Sequence, residues 1–119
     1  MKVTGIDATY YTVQDLGKET KFYTELLGAP PETAMEGRLS EWSFQDGTSF
    51  GLYKTEGTPG VGGAAMFAVA DVGKAVEEGK QRGVKFHEGG EVTDTPVCHM
   101  AFGEDPEGHQ FILHMRKPQ

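Results

Sequence analysis

The chain has 119 residues, 37% apolar and 24% charged, the size of one ordinary domain with enough hydrocarbon for a real core. Its formal charge of −7 argues against nucleic acid or an anionic membrane as partner, because both demand a positive face. The single cysteine, Cys98, excludes an intrachain disulfide and fits a reducing compartment.

The opening residues M1-K-V-T-G-I-D7 carry no apolar signal core, and the longest apolar run, Ala64 to Ala70, is too short to cross a bilayer. A soluble, cytoplasmic protein is the expectation. The β-branched and aromatic stretch I6-D-A-T-Y-Y-T-V13 predicts a first strand. Asp15 suits a helix N-cap, since its carboxylate accepts from free first-turn amides. A helix follows in which Leu16, Phe22, Tyr23, Leu26 and Leu27 share one stripe, and Gly28 suits the left-handed residue that ends it. Three extended stretches come next, at 31–36, 39–45 and 48–55, with D46-G47 as a hairpin turn. The bridge E56-G-T-P-G-V-G-G63 is too glycine-rich for either element.

Beyond the bridge the plan repeats. V13-Q-D-L-G-K18 returns as V69-A-D-V-G-K74, 56 positions later. A64-A-M-F-A-V-A70 is the strand, Asp71 the cap, Val72 to Arg82 the helix and Gly83 the stop. Internal Gly73 and Gly79 weaken that helix by about 1 kcal/mol each relative to alanine. Extended stretches at 84–88, 97–103 and 109–116 follow, the last pair turned by D105-P-E-G108. Each half reads strand–helix–strand–strand–strand, within one α+β domain spanning 1–119: module one at 1–56, a linker at 57–63 and module two at 64–119. A helix covers only one face of each small sheet, so two copies would curl their bare faces into a cup.

The paired V-x-D-[LV] strand ends (Val13/Asp15 and Val69/Asp71), the F22-Y-x-x-x-L-G28 helix end and D105-P-E-G-H-Q-F-I-L113 carry a family resemblance. A doubled βαβββ module with these marks resembles the vicinal oxygen chelate superfamily of glyoxalase I, extradiol dioxygenases and bleomycin-resistance proteins. His109 stands where that family's hairpin usually has asparagine. In the metal-using members, four His, Gln or Glu side chains inside the cup hold one divalent ion. The resemblance places those positions at Ala8, Gly51, Ala64 and Ile112, and none offers a donor atom. A strand slipped by one residue would show its other face, and then Asp7 is the only gain, because Ala65 and Leu113 add nothing. No metal and no cofactor are expected. The four histidines, His87, His99, His109 and His114, lack ligand spacing, and His87 and His109 read as surface residues. Of the cysteine and the histidines, only Cys98 and His114 are expected to share the inner face.

Alternation along the strands then sets the lining. Ile112 inward brings Gln110 and His114 with it and leaves Phe111, Leu113 and Met115 against the helix. The preceding strand turns Cys98, Met100 and Phe102 inward. Ala8 brings Tyr10 and Thr12, Gly51 brings Ser49 and Tyr53, and the facing strand contributes Trp42 and Phe44. The expected ligand-binding set is therefore Tyr10, Thr12, Trp42, Phe44, Tyr53, Cys98, Met100, Phe102 and His114, an apolar concavity with a few polar points. Small residues at the four centre positions leave it room.

Two other signals are weaker. G60-V-G-G-A-A65 fits a loose nucleotide pattern, but a strand follows it where a helix is needed, and Pro59 precedes it. Cys98 with His114 suggests a thiolate–imidazole pair, although a buried cysteine is more often an inert small hydrophobe. The charges Glu77, Glu78, Lys80 and Arg82 read as a solvated helix face.

The expected function is metal-independent binding of an aromatic or cationic organic ligand, similar to the bleomycin-resistance type. The alternative is an enzyme of the same superfamily, a lyase, isomerase or dioxygenase, using a relocated metal site or the Cys98/His114 pair. The resemblance also implies a homodimer.

Overall fold

A computed structural model describes residues 1–57 and 62–118; linker residues 58–61, with the start of the G60–A65 pattern, and Gln119 lie outside them. Packing divides the chain into two compact units, Ala8–Gly63 and Met1–Asp7 together with Ala64–Gln119. The division by packing thus differs from the division by repeat at the N-terminus, where the first seven residues join the second unit.

In the first unit the elements are β1 (Gly5–Val13, its last six residues belonging here), α1 (Leu16–Leu27), β2 (Thr33–Met35), β3 (Leu39–Ser43) and β4 (Ser49–Lys54). The sheet runs β2-β3-β4-β1, with β1 and β4 parallel and the other pairs antiparallel. Parallel neighbours need a crossover, and α1 supplies it. The helix begins where Asp15 accepts the Lys18 amide at 3.0 Å, and it ends at Gly28, whose φ of 83° only glycine adopts cheaply. The side of the sheet facing α1 carries the core of Leu16, Trp42 and Leu52, joined by Val13, Tyr23 and Phe50.

The second unit contains β5 (Gly63–Ala68, from Ala64 onward), α2 (Val72–Gln81), β6 (Lys85–Phe86), β7 (Thr93–Asp94), β8 (Cys98–Glu104) and β9 (Gln110–Arg116). Its strand order is β5-β9-β8-β6, and β7 also pairs with β8. Asp71 caps α2 as Asp15 caps α1, accepting the Lys74 amide at 3.0 Å. Val72, Ala75, Val76 and Gly79 recur at helical spacing and are buried. They close over Val69, Ala101 and Leu113, with Phe67, Phe86, Phe111 and Met115 around them. The fold is α+β, each half a small sheet with one helix.

Two details depart from the repeat. The stretch expected as a strand at 84–88 is extended only at Lys85–Phe86, and a 3₁₀ turn, His87–Gly90, follows. Gly90 there has φ 80°, and a Cβ on it would lie 2.5 Å from Val76 Cγ1, so the chain turns sharply against α2. The short strand β7 then adds a pairing with β8 that has no counterpart among the described residues of the first half.

Gly79 shows packing overriding helix propensity. A Cβ there would stand 2.9 Å from the Phe86 ring. Gly79→Ala is therefore expected to destabilise the protein by about 1–2 kcal/mol, although alanine is the better helix former by about 1 kcal/mol. Urea unfolding checks this, and a gain in stability would show that Phe86 yields.

Candidate functional site

Each sheet has one side covered by its helix and one side turned away from it. On the open side of the first unit, strand alternation and the register set three rows: Ala8–Ser49–Ser43, Tyr10–Gly51–Glu41 and Thr12–Tyr53–Leu39. Tyr10 and Tyr53 pack with ring centroids 4.8 Å apart, and the Tyr53 hydroxyl donates to Glu41 Oε2 at 2.7 Å. Burial pushes the Tyr10 phenol above its ordinary value, so it stays protonated. Tyr10, Thr12 and Tyr53 thus share one face.

Trp42 and Phe44 do not join them. Trp42 lies on the α1 side, 3% exposed, with its Nε1 donating to the Ala29 carbonyl at 2.9 Å and its ring beside Tyr23 and Phe50. Phe44 lies past the end of β3, exposed, its amide donating to the Thr48 carbonyl across the hairpin turn. The cause is register. Trp42 pairs with Phe50 and Glu41 with Gly51, one position from the expected match, and one position exchanges the faces of a strand. The same shift brings in Glu41, a carboxylate the sequence reading did not include.

The room expected over Gly51 is occupied as well. A Cβ on Gly51 would lie 2.9 Å from Tyr53 Cε1 and 3.5 Å from both Glu41 Cγ and Tyr10 Cβ. Glycine at that position admits the tyrosine ring.

On the side of the second unit turned away from α2 the rows are Ala64–Gln110–Glu104, Met66–Ile112–Phe102 and Ala68–His114–Met100, with Arg116–Cys98 beyond. Cys98, Met100, Phe102 and His114 therefore share a face, opposite the side where Ala101, Leu113 and Phe111 meet α2. Met66 belongs to it too. Cys98 is buried, its sulfur 3.2 Å from Thr95 Oγ1. Among the described residues no hydrogen bond joins Cys98 to His114. His114 instead pairs with Asp7: its Nδ1 lies 2.7 Å from Asp7 Oδ2. The Thr4 amide donates to the Ala68 carbonyl at 2.9 Å, which brings the N-terminal segment alongside β5.

The remaining histidines pair at the surface. His109 Nδ1 lies 2.8 Å from Asp105, His99 3.2 Å from Asp94 and His87 3.7 Å from Glu104. The amide of His109 is the main cause that holds the Asp105 carboxyl below its ordinary value, and Lys117 does the same for Asp94.

Ala8, Gly51, Ala64 and Ile112 carry no donor atoms, and among the described residues no three His, Cys, Asp or Glu side chains gather to hold an ion. The side chains present do not fit the four-ligand metal centre of the resemblance. Two concavities, of about 650 and 700 Å³, contain none of the expected site residues. One lies by the C-terminal end of α2 against Phe67, Val84 and Phe111, the other between the start of α1 and the β2–β3 turn. No helix among the described residues is long and apolar enough to cross a membrane.

Comparison with known proteins places this geometry. No curated protein matches the sequence. Among solved structures, methylmalonyl-CoA epimerase from Mycobacterium tuberculosis superposes with a TM-score of 0.71 at 18% identity, over 98% of this chain and 90% of that one. A glyoxalase/bleomycin resistance protein/dioxygenase superfamily member from Vibrio splendidus 12B01 gives 0.70 at 14% identity, over 91% and 96%. The Mn(II)-bound glyoxalase from Novosphingobium aromaticivorans gives 0.72 at 19% identity, over 96% of this chain but 39% of that one. At such identities the likeness shows the fold alone. The model of the Glyoxalase/Bleomycin resistance protein/Dioxygenase superfamily matches residues 5–113, nearly the whole doubled module, and the chain belongs to that superfamily.

Proposed function

We propose that the chain is a metal-independent small-molecule binder of this superfamily, taking a planar organic cation on the open face of its first unit. The observation that carries this is Glu41, a carboxylate fixed by the Tyr53 hydroxyl at 2.7 Å beside the paired rings of Tyr10 and Tyr53. Ring faces are electron-rich and attract a cation by about 0.5–2 kcal/mol, depending on how far it is desolvated. The carboxylate adds a directed negative charge, and Tyr53 fixes its position. An anionic ligand would meet repulsion at the same place. The chain's formal charge of −7 favours the approach of cations further.

The test is calorimetric titration with N-methylquinolinium and with neutral quinoline at pH 8. The cation is expected to bind about tenfold tighter or more, a difference of about 1.4 kcal/mol. Glu41→Gln should abolish that preference while leaving the rings in place. Tyr53→Phe keeps the ring but releases the carboxylate, and should weaken the cation more than quinoline. Equal affinity for the two compounds, or a cation affinity untouched by Glu41→Gln, would overturn the proposal.

A further inference from the structure

The second unit contains an oriented imidazole that ligand binding at Glu41 does not use. His114 is 7% exposed on the face turned away from α2, between Ala68 and Met100, with Ile112 two residues before it on the same face. Its Nδ1 lies 2.7 Å from Asp7 Oδ2, so the proton of the neutral ring belongs on Nδ1. The Arg116 guanidinium donates to the Asp7 backbone carbonyl at 3.2 Å, which fixes that residue from the other side. The opposite nitrogen, Nε2, makes no hydrogen bond among the described residues. Among the described residues no buried side-chain nitrogen or oxygen lacks a partner, so Nε2, which has none, is not fully sealed from solvent.

A partly accessible nitrogen with its lone pair free, set among Met100, Ile112 and Ala68 and backed by a carboxylate, is the arrangement of a general base. The alternative partner, Cys98, is two positions away along β8, and its sulfur is engaged by Thr95. From this geometry we infer that His114 accepts a proton from a weakly acidic, apolar small molecule at Nε2, with Asp7 as its positioning residue. In that step the substrate's bond to hydrogen breaks and a new N–H bond forms at Nε2. The electron pair stays on the substrate, and the resulting imidazolium faces the Asp7 carboxylate. The inference does not rest on the cation site, since none of its residues lies in the first unit.

The probe is 5-nitrobenzisoxazole, whose ring opens when a base removes its C3 proton. The electron pair becomes part of a nitrile, and the N–O bond breaks to release a coloured phenolate, with no co-reactant. The wild-type protein is expected to accelerate this opening by about 10²-fold or more over the same concentration of free imidazole. Asp7, Arg116 and Cys98 are the titratable or charged groups around Nε2. His114→Gln should lose the acceleration. Asp7→Asn should keep part of the acceleration but fall about tenfold or more, since an oriented imidazole loses that much without its carboxylate. Because either variant can unfold, two measurements use the wild-type alone. Nitrogen NMR should show the neutral His114 ring protonated at Nδ1, and diethyl pyrocarbonate should modify Nε2 and remove the acceleration. A wild-type rate equal to that of free imidazole, or a ring protonated at Nε2, overturns the inference whatever the state of the variants.

Discussion

Trp42→Ala is expected to lower the unfolding free energy by about 3–5 kcal/mol, the range for a large buried aromatic cut back to a methyl group. Trp42 is 3% exposed and joins Leu16 and Leu52 in the core beneath α1. Its ring lies 5.9 Å from that of Phe50 and 6.4 Å from that of Tyr23, so its loss opens a cavity between helix and sheet. Its Nε1 donates to the Ala29 carbonyl, just past the helix end, and helps anchor the chain there. Trp42→Phe keeps most of the ring and loses that hydrogen bond, and should cost about 1–2 kcal/mol. Phe44→Ala, at an exposed position in the turn, should change stability by no more than about 0.5 kcal/mol. Urea unfolding followed by far-ultraviolet circular dichroism measures all three without depending on the lost fluorophore. If Trp42→Ala cost no more than Phe44→Ala, the register of β3 would be wrong. The same burial has an optical consequence. Wild-type Trp42 should emit at short wavelength, and ligands on the opposite sheet face should not quench it by contact.

The register of β3 marks the limit of what its local sequence reveals. L39-S-E-W-S43 mixes polar and apolar residues on both faces, so alternation alone does not choose between Glu41 and Trp42 for the open side. The turn decides. A two-residue turn at D46-G47 would set Trp42 opposite Gly51. The observed loop is one residue longer, Gln45 to Gly47, closed by the Phe44 amide on the Thr48 carbonyl and with Gly47 at φ 87°. That three-residue form, a turn followed by a left-handed glycine, is the other common hairpin connection. It moves Trp42 opposite Phe50. Weighing both turn lengths would have raised Glu41 as a candidate.

Where the pattern was unambiguous, the reading was secure. Q110-F-I-L-H-M-R116 alternates around Phe111, Leu113 and Met115, and these three do pack on the α2 side. Both helix caps and both glycine stops were legible for a local reason, since a cap needs only its own first turn. The Asp7–His114 contact was not, because it joins residues 107 positions apart. The one sequence signal was that Asp7 is the sole ionisable neighbour of the family's vacant ligand positions. The 3₁₀ turn at His87–Gly90 was not legible, and the extended stretch read at 84–88 ran into it. Its cause, Gly90 lying against Val76, is tertiary.

Leu113→Ala is expected to cost about 2–5 kcal/mol, a large share of the total of about 5–15 kcal/mol that holds a domain of this size folded. Leu113 is 2% exposed and touches the cluster that α2 closes, with Val72, Ala75, Val76 and Ala101 around it. Its strand lies in the middle of its sheet, between β5 and β8, so the surroundings have little freedom to collapse into the gap. Leu26→Ala supplies the contrast: that side chain is 66% exposed on α1, and its loss should register at about 0.5 kcal/mol or less. The neighbouring site sharpens the test. Leu113 and His114 are adjacent in sequence but point to opposite faces, so the truncation removes core packing without touching the Asp7 contact. Leu113→Ala should therefore unfold at markedly lower urea, while the fraction that remains folded keeps the Nδ1-protonated His114 ring and the proton-transfer rate per folded molecule. A variant of normal stability would place Leu113 outside the core. One that lost stability and also moved the His114 proton would show that the two faces of β9 are coupled, which strict alternation of the strand does not allow.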